Sequence, residues 1–142
     1  MEFDMGFVKR IIVSKNILLL IVLFAIPSIG LIPSGLPITH DGMDHVARIA
    51  NFYQGLSEGT VFPRWAGNLN WGYGHPVLMF LYPLSLFSAS LFHFIGFSYI
   101  DSLKIIFGLG YIASGLTIYL WAKEQFGEYM GMAVAIDRKS VV

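Results

Sequence analysis

Cysteine is absent from the 142 residues. That excludes disulfides, thiolate zinc sites and cysteine nucleophiles. Charge is scarce: Asp, Glu, Lys and Arg make up 13% of the chain, where a soluble domain carries about a quarter. The formal net charge is zero, so there is no polyanion-binding field and no nucleic-acid partner is expected. No glycine-rich nucleotide motif is present, since GYGHP matches neither a P-loop nor a dinucleotide fingerprint. What abounds is apolar: 56% hydrophobic residues and a mean hydropathy of +0.67. So few charges cannot cover a compact particle, and the excess apolar surface is expected to face lipid. The class is an all-α integral membrane protein.

A spanning helix needs roughly 20 apolar residues to cross about 30 Å of hydrocarbon. No charged residue occurs from Asn16 to Thr39, which predicts a first span over 16–38. Pro27 kinks it or marks its outer turn, and Pro33 and Pro37 end it. A cleaved signal peptide shares the basic start and apolar core, but this core is long and has no clear small-x-small cleavage site. It reads as a retained anchor. A second span is expected over 77–97 and a third over 105–122. MGMAVAI then opens a fourth within 130–142, before an abrupt DRKSVV tail. The expectation is a polytopic helix bundle, the N-terminal fragment of a larger protein, its tail a truncation or assembly scar. Gly108, Gly110, Ala113, Ser114 and Gly115 line the third span with the small residues that let helices approach in lipid.

Lys9, Arg10 and Lys15 precede the first span, which predicts a cytoplasmic N-terminus (1–15) in the cell membrane. Residues 39–76 then form an extracytoplasmic loop, 98–104 a cytoplasmic turn and 123–129 a second outer loop. Arg48 and Arg64 run against the rule, and functional arginines override it.

The 39–76 loop gathers the polar chemistry. It holds five of the eighteen charged side chains, three of four histidines and two of three tryptophans. After Gly42 it predicts an amphipathic helix at the membrane surface, with Asp41 near the N-cap and Val46, Ile49, Phe52, Tyr53 and Leu56 on the apolar face. His40, Asp41, Asp44, His45 and Arg48 fall within nine residues. Asp44 and Arg48 stand four apart, as an ion pair would. Two readings stand: a cap with a surface salt bridge, or a functional cluster that holds a divalent cation, acts as base and binds a phosphate. Arg64 is read as a phosphate ligand or, with Trp65, as an interfacial anchor. Trp65, Trp71 and Tyr73 offer flat faces that stack on sugars or form an interfacial belt. His93 lies inside the second apolar stretch, where an ionisable group is a functional candidate or a neutral packed histidine.

The combination is distinctive. After an N-terminal span come His40-Asp41, a downstream His45 and Arg48, the Gly59-x-x-x-Pro63-Arg64-Trp65 run, Gly72-Tyr73-Gly74-x-Pro76 and Tyr82-Pro83. Over about residues 10 to 125 this resembles the prokaryotic polytopic membrane proteins labelled "6-pyruvoyl-tetrahydropterin synthase-related", which look like relatives of the GT-C glycosyltransferases. Pterin chemistry is not implied, because histidines 40, 45, 75 and 93 do not form a compact zinc set. The resemblance implies a polyprenyl-phosphate-linked sugar donor, an extracytoplasmic acceptor of unknown identity, and Mg²⁺ or Mn²⁺ as a metal. It maps the essential acid of the first outer loop to Asp41, with Asp44 second and His45 beside them as catalytic candidates. Asp41 and Asp44 are the metal candidates, and Arg48, Arg64 and His40 the donor-phosphate candidates. The alternatives are a transporter or flippase of lipid-linked glycans, or a structural membrane subunit.

Overall fold

The computed structural model describes residues 15–36 and 38–137. Lys9, Arg10, Pro37 and the tail from Arg138, each part of an expectation above, lie outside them. Among the described residues the fold is all-helical: α1 is Lys15–Ser28, α2 Gly42–Ser57, α3 Pro83–Phe94, α4 Tyr99–Phe126 and α5 Glu128–Asp137. Two compact units partition the chain. One runs up to Ile32 and resumes at Gly108, and the other is Pro33–Phe107.

In the first unit, α1 ends one residue after Pro27 and tightens into a 3₁₀ turn at Ile29–Leu31. Its core is Ile17, Leu20, Phe24, Tyr119 and Ala135. The Phe24 ring meets Tyr111 edge-on at 5.7 Å. It also lies against Gly115, where a Cβ would collide with it. Close helix approach at a small residue is thus realised at Gly115.

In the second unit, α2 packs on α3. Ile49, Phe52, Leu78, Leu86, Ala89 and Leu103 are buried together, and Phe52 meets Phe87 edge-on at 4.9 Å. The amphipathic face expected for α2 is therefore covered by protein, where the sequence left it for a lipid surface.

The apolar stretch 77–97 is not one helix. It divides into a 3₁₀ turn at Pro76–Met79 and α3, which starts at Pro83. Proline is at home in a first helical turn and forces the residue before it to be extended, and Tyr82 is extended. Twelve residues rise only about 18 Å. By contrast, α4 has 28 residues, a rise of about 42 Å. It is long and apolar enough to cross a membrane, and only 17% of its apolar window is buried.

The 98–104 stretch, expected as a turn, is helical from Tyr99. Ser98 caps it: the Asp101 amide donates to Ser98 Oγ at 3.0 Å, and the Ser98 hydroxyl donates to Asp101 Oδ2 at 2.6 Å. The first bond is an N-cap, and the second ties the capping hydroxyl to the N3 carboxylate. The expected 123–129 loop shrinks to Gly127, whose φ of 86° separates α4 from α5.

Candidate functional site

The first candidate cluster sits at the start of α2. Gly42 is buried there because Thr39 Oγ1 and Leu36 occupy the space a Cβ would need. Asp41 takes the N-cap position, yet its carboxylate caps no amide. Instead Asp41 Oδ2 accepts a hydrogen bond from His45 Nε2 at 3.1 Å. Donation to a carboxylate places the imidazole proton on Nε2. The His45 ring is steadied edge-on by Phe107 at 6.0 Å.

At 100° per residue Asp41, Asp44, His45 and Arg48 fall within an arc of about 100° on one helix face. The expected Asp44–Arg48 ion pair is not formed among the described residues; the i,i+4 pair that forms is Asp41–His45. Asp44 and His40 are exposed and Arg48 is half-buried. Among the described residues no three His, Asp or Glu side chains converge as a metal ligand set. A Mg²⁺ ion bound mainly by substrate phosphate needs only one or two carboxylates. Asp41 Oδ1, left open by His45, and Asp44 fit that smaller demand.

Arg64 and Trp65 are elsewhere. With Asn51, Gln54, Glu58 and Thr60 they line a cleft of about 230 Å³ beside the C-terminal half of α2. Gln54 stands thirteen residues after Asp41, a rise of about 20 Å. So the residues read as one donor site occupy opposite ends of α2: Arg48 stays with Asp41, and Arg64 does not.

Several polar contacts that sequence reading missed hold the cleft. Asn51, buried within the helix, accepts the Asn68 amide on Oδ1 at 2.9 Å and donates to the Ala47 carbonyl at 2.9 Å. Ala66 and His75 exchange backbone hydrogen bonds at 2.9 and 3.0 Å. This pairing folds 66–75 into a closed loop. At its end Gly74, with φ 81°, lies against the Trp65 indole, which fills the place of a Cβ.

Trp71 and Tyr73 project from that loop. Trp71 is 96% exposed and has φ 60°, unusual for a bulky residue. Neither ring joins the Arg64 cleft.

A second, apolar cleft of about 550 Å³ lies between α2 and α3, lined by Tyr53, Leu56, Phe87, Leu91 and Phe94 with Ser90. The Ser90 hydroxyl is buried without a hydrogen-bond partner. His93, the intramembrane candidate, donates from Nδ1 to the Phe97 carbonyl at 2.7 Å and stacks on Tyr99 at 3.8 Å. Tyr53 of α2 meets the same ring edge-on at 4.5 Å, so His93 is packed between helices. Lys104, 7% exposed, donates to the Pro33 carbonyl at 2.6 Å. No family model, curated protein or solved structure matches the chain.

Proposed function

We propose that the chain belongs to a membrane-embedded, GT-C-like glycosyltransferase that moves a sugar from a polyprenyl-phosphate-linked donor to an extracytoplasmic acceptor. The observation that carries the reading is the Asp41–His45 pair: a carboxylate freed from capping, oriented by an imidazole, and exposed on a helix face that also holds Asp44 and Arg48.

In this mechanism His45 holds Asp41 Oδ2 and leaves Oδ1 for substrate. Asp41 accepts the proton of the acceptor hydroxyl as that oxygen attacks the anomeric carbon. The bond from the anomeric carbon to the phosphate oxygen breaks, and polyprenyl phosphate leaves with the electron pair. Arg48 offers positive charge to the leaving phosphate. A Mg²⁺ or Mn²⁺ ion would add Lewis-acid charge at the leaving phosphate; of the two candidate ligands Asp44 would hold it, since Asp41 Oδ1 is needed as the base.

Further support comes from the apolar surface. Leu18, Leu19 and Val22 on α1, and Leu84, Leu91 and Phe94 on α3, are exposed, as suits helices in lipid. The reading of a multi-pass protein rests on that surface and on α4, the one helix among the described residues long enough to cross alone; the expected spans over 16–38 and 77–97 are represented by the shorter α1 and α3. The 550 Å³ apolar cleft suits a lipid chain.

The test is Asp41→Asn in native membranes, supplied with a lipid-linked sugar donor. Transfer is expected to fall by about 10²–10⁴-fold, the contribution of a positioned general base. Undiminished transfer removes Asp41 from the role. Movement of donor across the bilayer with no change in glycosidic bonds would instead support the flippase reading.

A further inference from the structure

The cleft at the far end of α2 carries chemistry that the Asp41 centre does not use. It holds two opposite charges, Glu58 and Arg64, that are not paired with each other. Gln54 Nε2 donates to Glu58 Oε1 at 2.8 Å. The Arg64 guanidinium makes no hydrogen bond or ion pair among the described residues. Trp65 is 58% exposed and lines the cleft with Arg64. The frame is fixed by the Asn51–Asn68 hydrogen bond and the Ala66–His75 bridge.

These features select a guest. The lining amides are already satisfied, with Gln54 Oε1 accepting from Asn68 Nδ2 at 2.5 Å, so what a guest must answer is the two charges, which an apolar guest would desolvate with nothing in return. A bare phosphate would satisfy Arg64 but holds its charge on the same small group as any hydroxyl it offers Glu58, whereas a sugar ring sets its carboxylate and hydroxyls apart. A ring with hydroxyl donors and one anionic group answers Arg64, Glu58 and Trp65 together. The volume, about 230 Å³, lies under the roughly 300 Å³ at the low end of drug-sized pockets. A cleft below that range suits a single ring.

We propose that this cleft binds one acidic sugar residue: its carboxylate on Arg64, a hydroxyl donating to Glu58, and its C–H face on Trp65. The site lies too far from Asp41 to hold the reacting sugar, so it recognises a non-reacting acidic unit of a glycan. The proposal leans on the glycosyltransferase reading only in choosing a sugar among hydroxylated acids.

The test uses the full chain in lipid nanodiscs, titrated with D-glucuronate and followed by saturation-transfer NMR at low salt. Saturable binding is expected, with D-glucose at least tenfold weaker and inorganic phosphate failing to displace glucuronate. Arg64→Gln and Trp65→Ala should each weaken binding at least tenfold. Arg64→Lys, which keeps the charge but loses the two-pronged geometry, should fall between wild type and Arg64→Gln. Asp41→Asn should bind glucuronate like wild type while losing transfer, which separates this proposal from the catalytic one. Absence of saturable binding, indifference to both Arg64 variants, or displacement by phosphate at equal concentration overturns the acidic-sugar site. Helical circular dichroism checks each variant, and Trp65→Ala decides the matter if an Arg64 variant misfolds.

Discussion

Asn51 and Asn68, seventeen positions apart, are joined by a hydrogen bond of 2.9 Å from the Asn68 amide to Asn51 Oδ1. The other end of the Asn51 side chain is engaged by the Ala47 carbonyl, so its orientation is set. Replacing Asn51 by Leu keeps the volume and removes both contacts. The Asn68 amide then loses its partner, and stability should fall by about 1–3 kcal/mol. Denaturant unfolding in detergent reads the loss. Faster hydrogen exchange at Asn68 and Gly67, with the α1 amides unchanged, would place it in this loop.

Asp41 stands at an N-cap position without capping. An ordinary capping residue costs about 1 kcal/mol when changed to Ala. Asp41→Ala should therefore cost less, under about 0.5 kcal/mol, because an exposed pair with His45 contributes little. A full capping penalty would mean that the carboxylate serves the helix, which would weaken its claim to substrate.

Ser98 is the opposite case. It gives and receives a hydrogen bond with Asp101 at the start of α4. Ser98→Ala should cost about 1 kcal/mol and fray Tyr99–Asp101. Ser98→Thr, which keeps the hydroxyl, should restore most of the loss in the same unfolding measurement.

Gly74→Ala meets two penalties. Its φ of 81° suits no ordinary side chain, at about 1–2 kcal/mol, and the new methyl displaces the Trp65 indole. With Trp71 and Trp121 changed to Phe, the remaining emission should shift to the red. An unshifted spectrum would show that Trp65 does not rest on Gly74.

Some of this was legible in the residues themselves. The helical class followed from composition, and the buried face of α2 from the spacing of Val46, Ile49, Phe52 and Leu56, which the fold does bury or half-bury. What covers that face is a tertiary fact: α3 and a lipid surface ask for the same periodicity. The break at Tyr82-Pro83 was readable from the rules for proline, but a hydropathy window averages over a single residue. Likewise Ser98-x-x-Asp101 is a capping signal hidden in a stretch short enough to look like a turn.

The site was harder. Asp41–His45 and Asp44–Arg48 have the same spacing, and only side-chain packing chose the first. Arg64 was grouped with Asp41 because both lie in one polar segment. The pairing of Ala66 with His75, which keeps Arg64 at the other end of α2, has no signature in local pattern. Asn51 looked like any polar residue on a helix, and its burial came from the loop that folds onto it.

The length of α2 acts as a ruler. From Asp41 to Glu58 the helix rises about 25 Å, and its Asn51-held loop keeps the far end in place. A glycan engaged at both ends must reach that far. On the proposed reading, acceptors shorter than this span would touch one end only, and turnover should then rise at a threshold of chain length rather than in proportion to it.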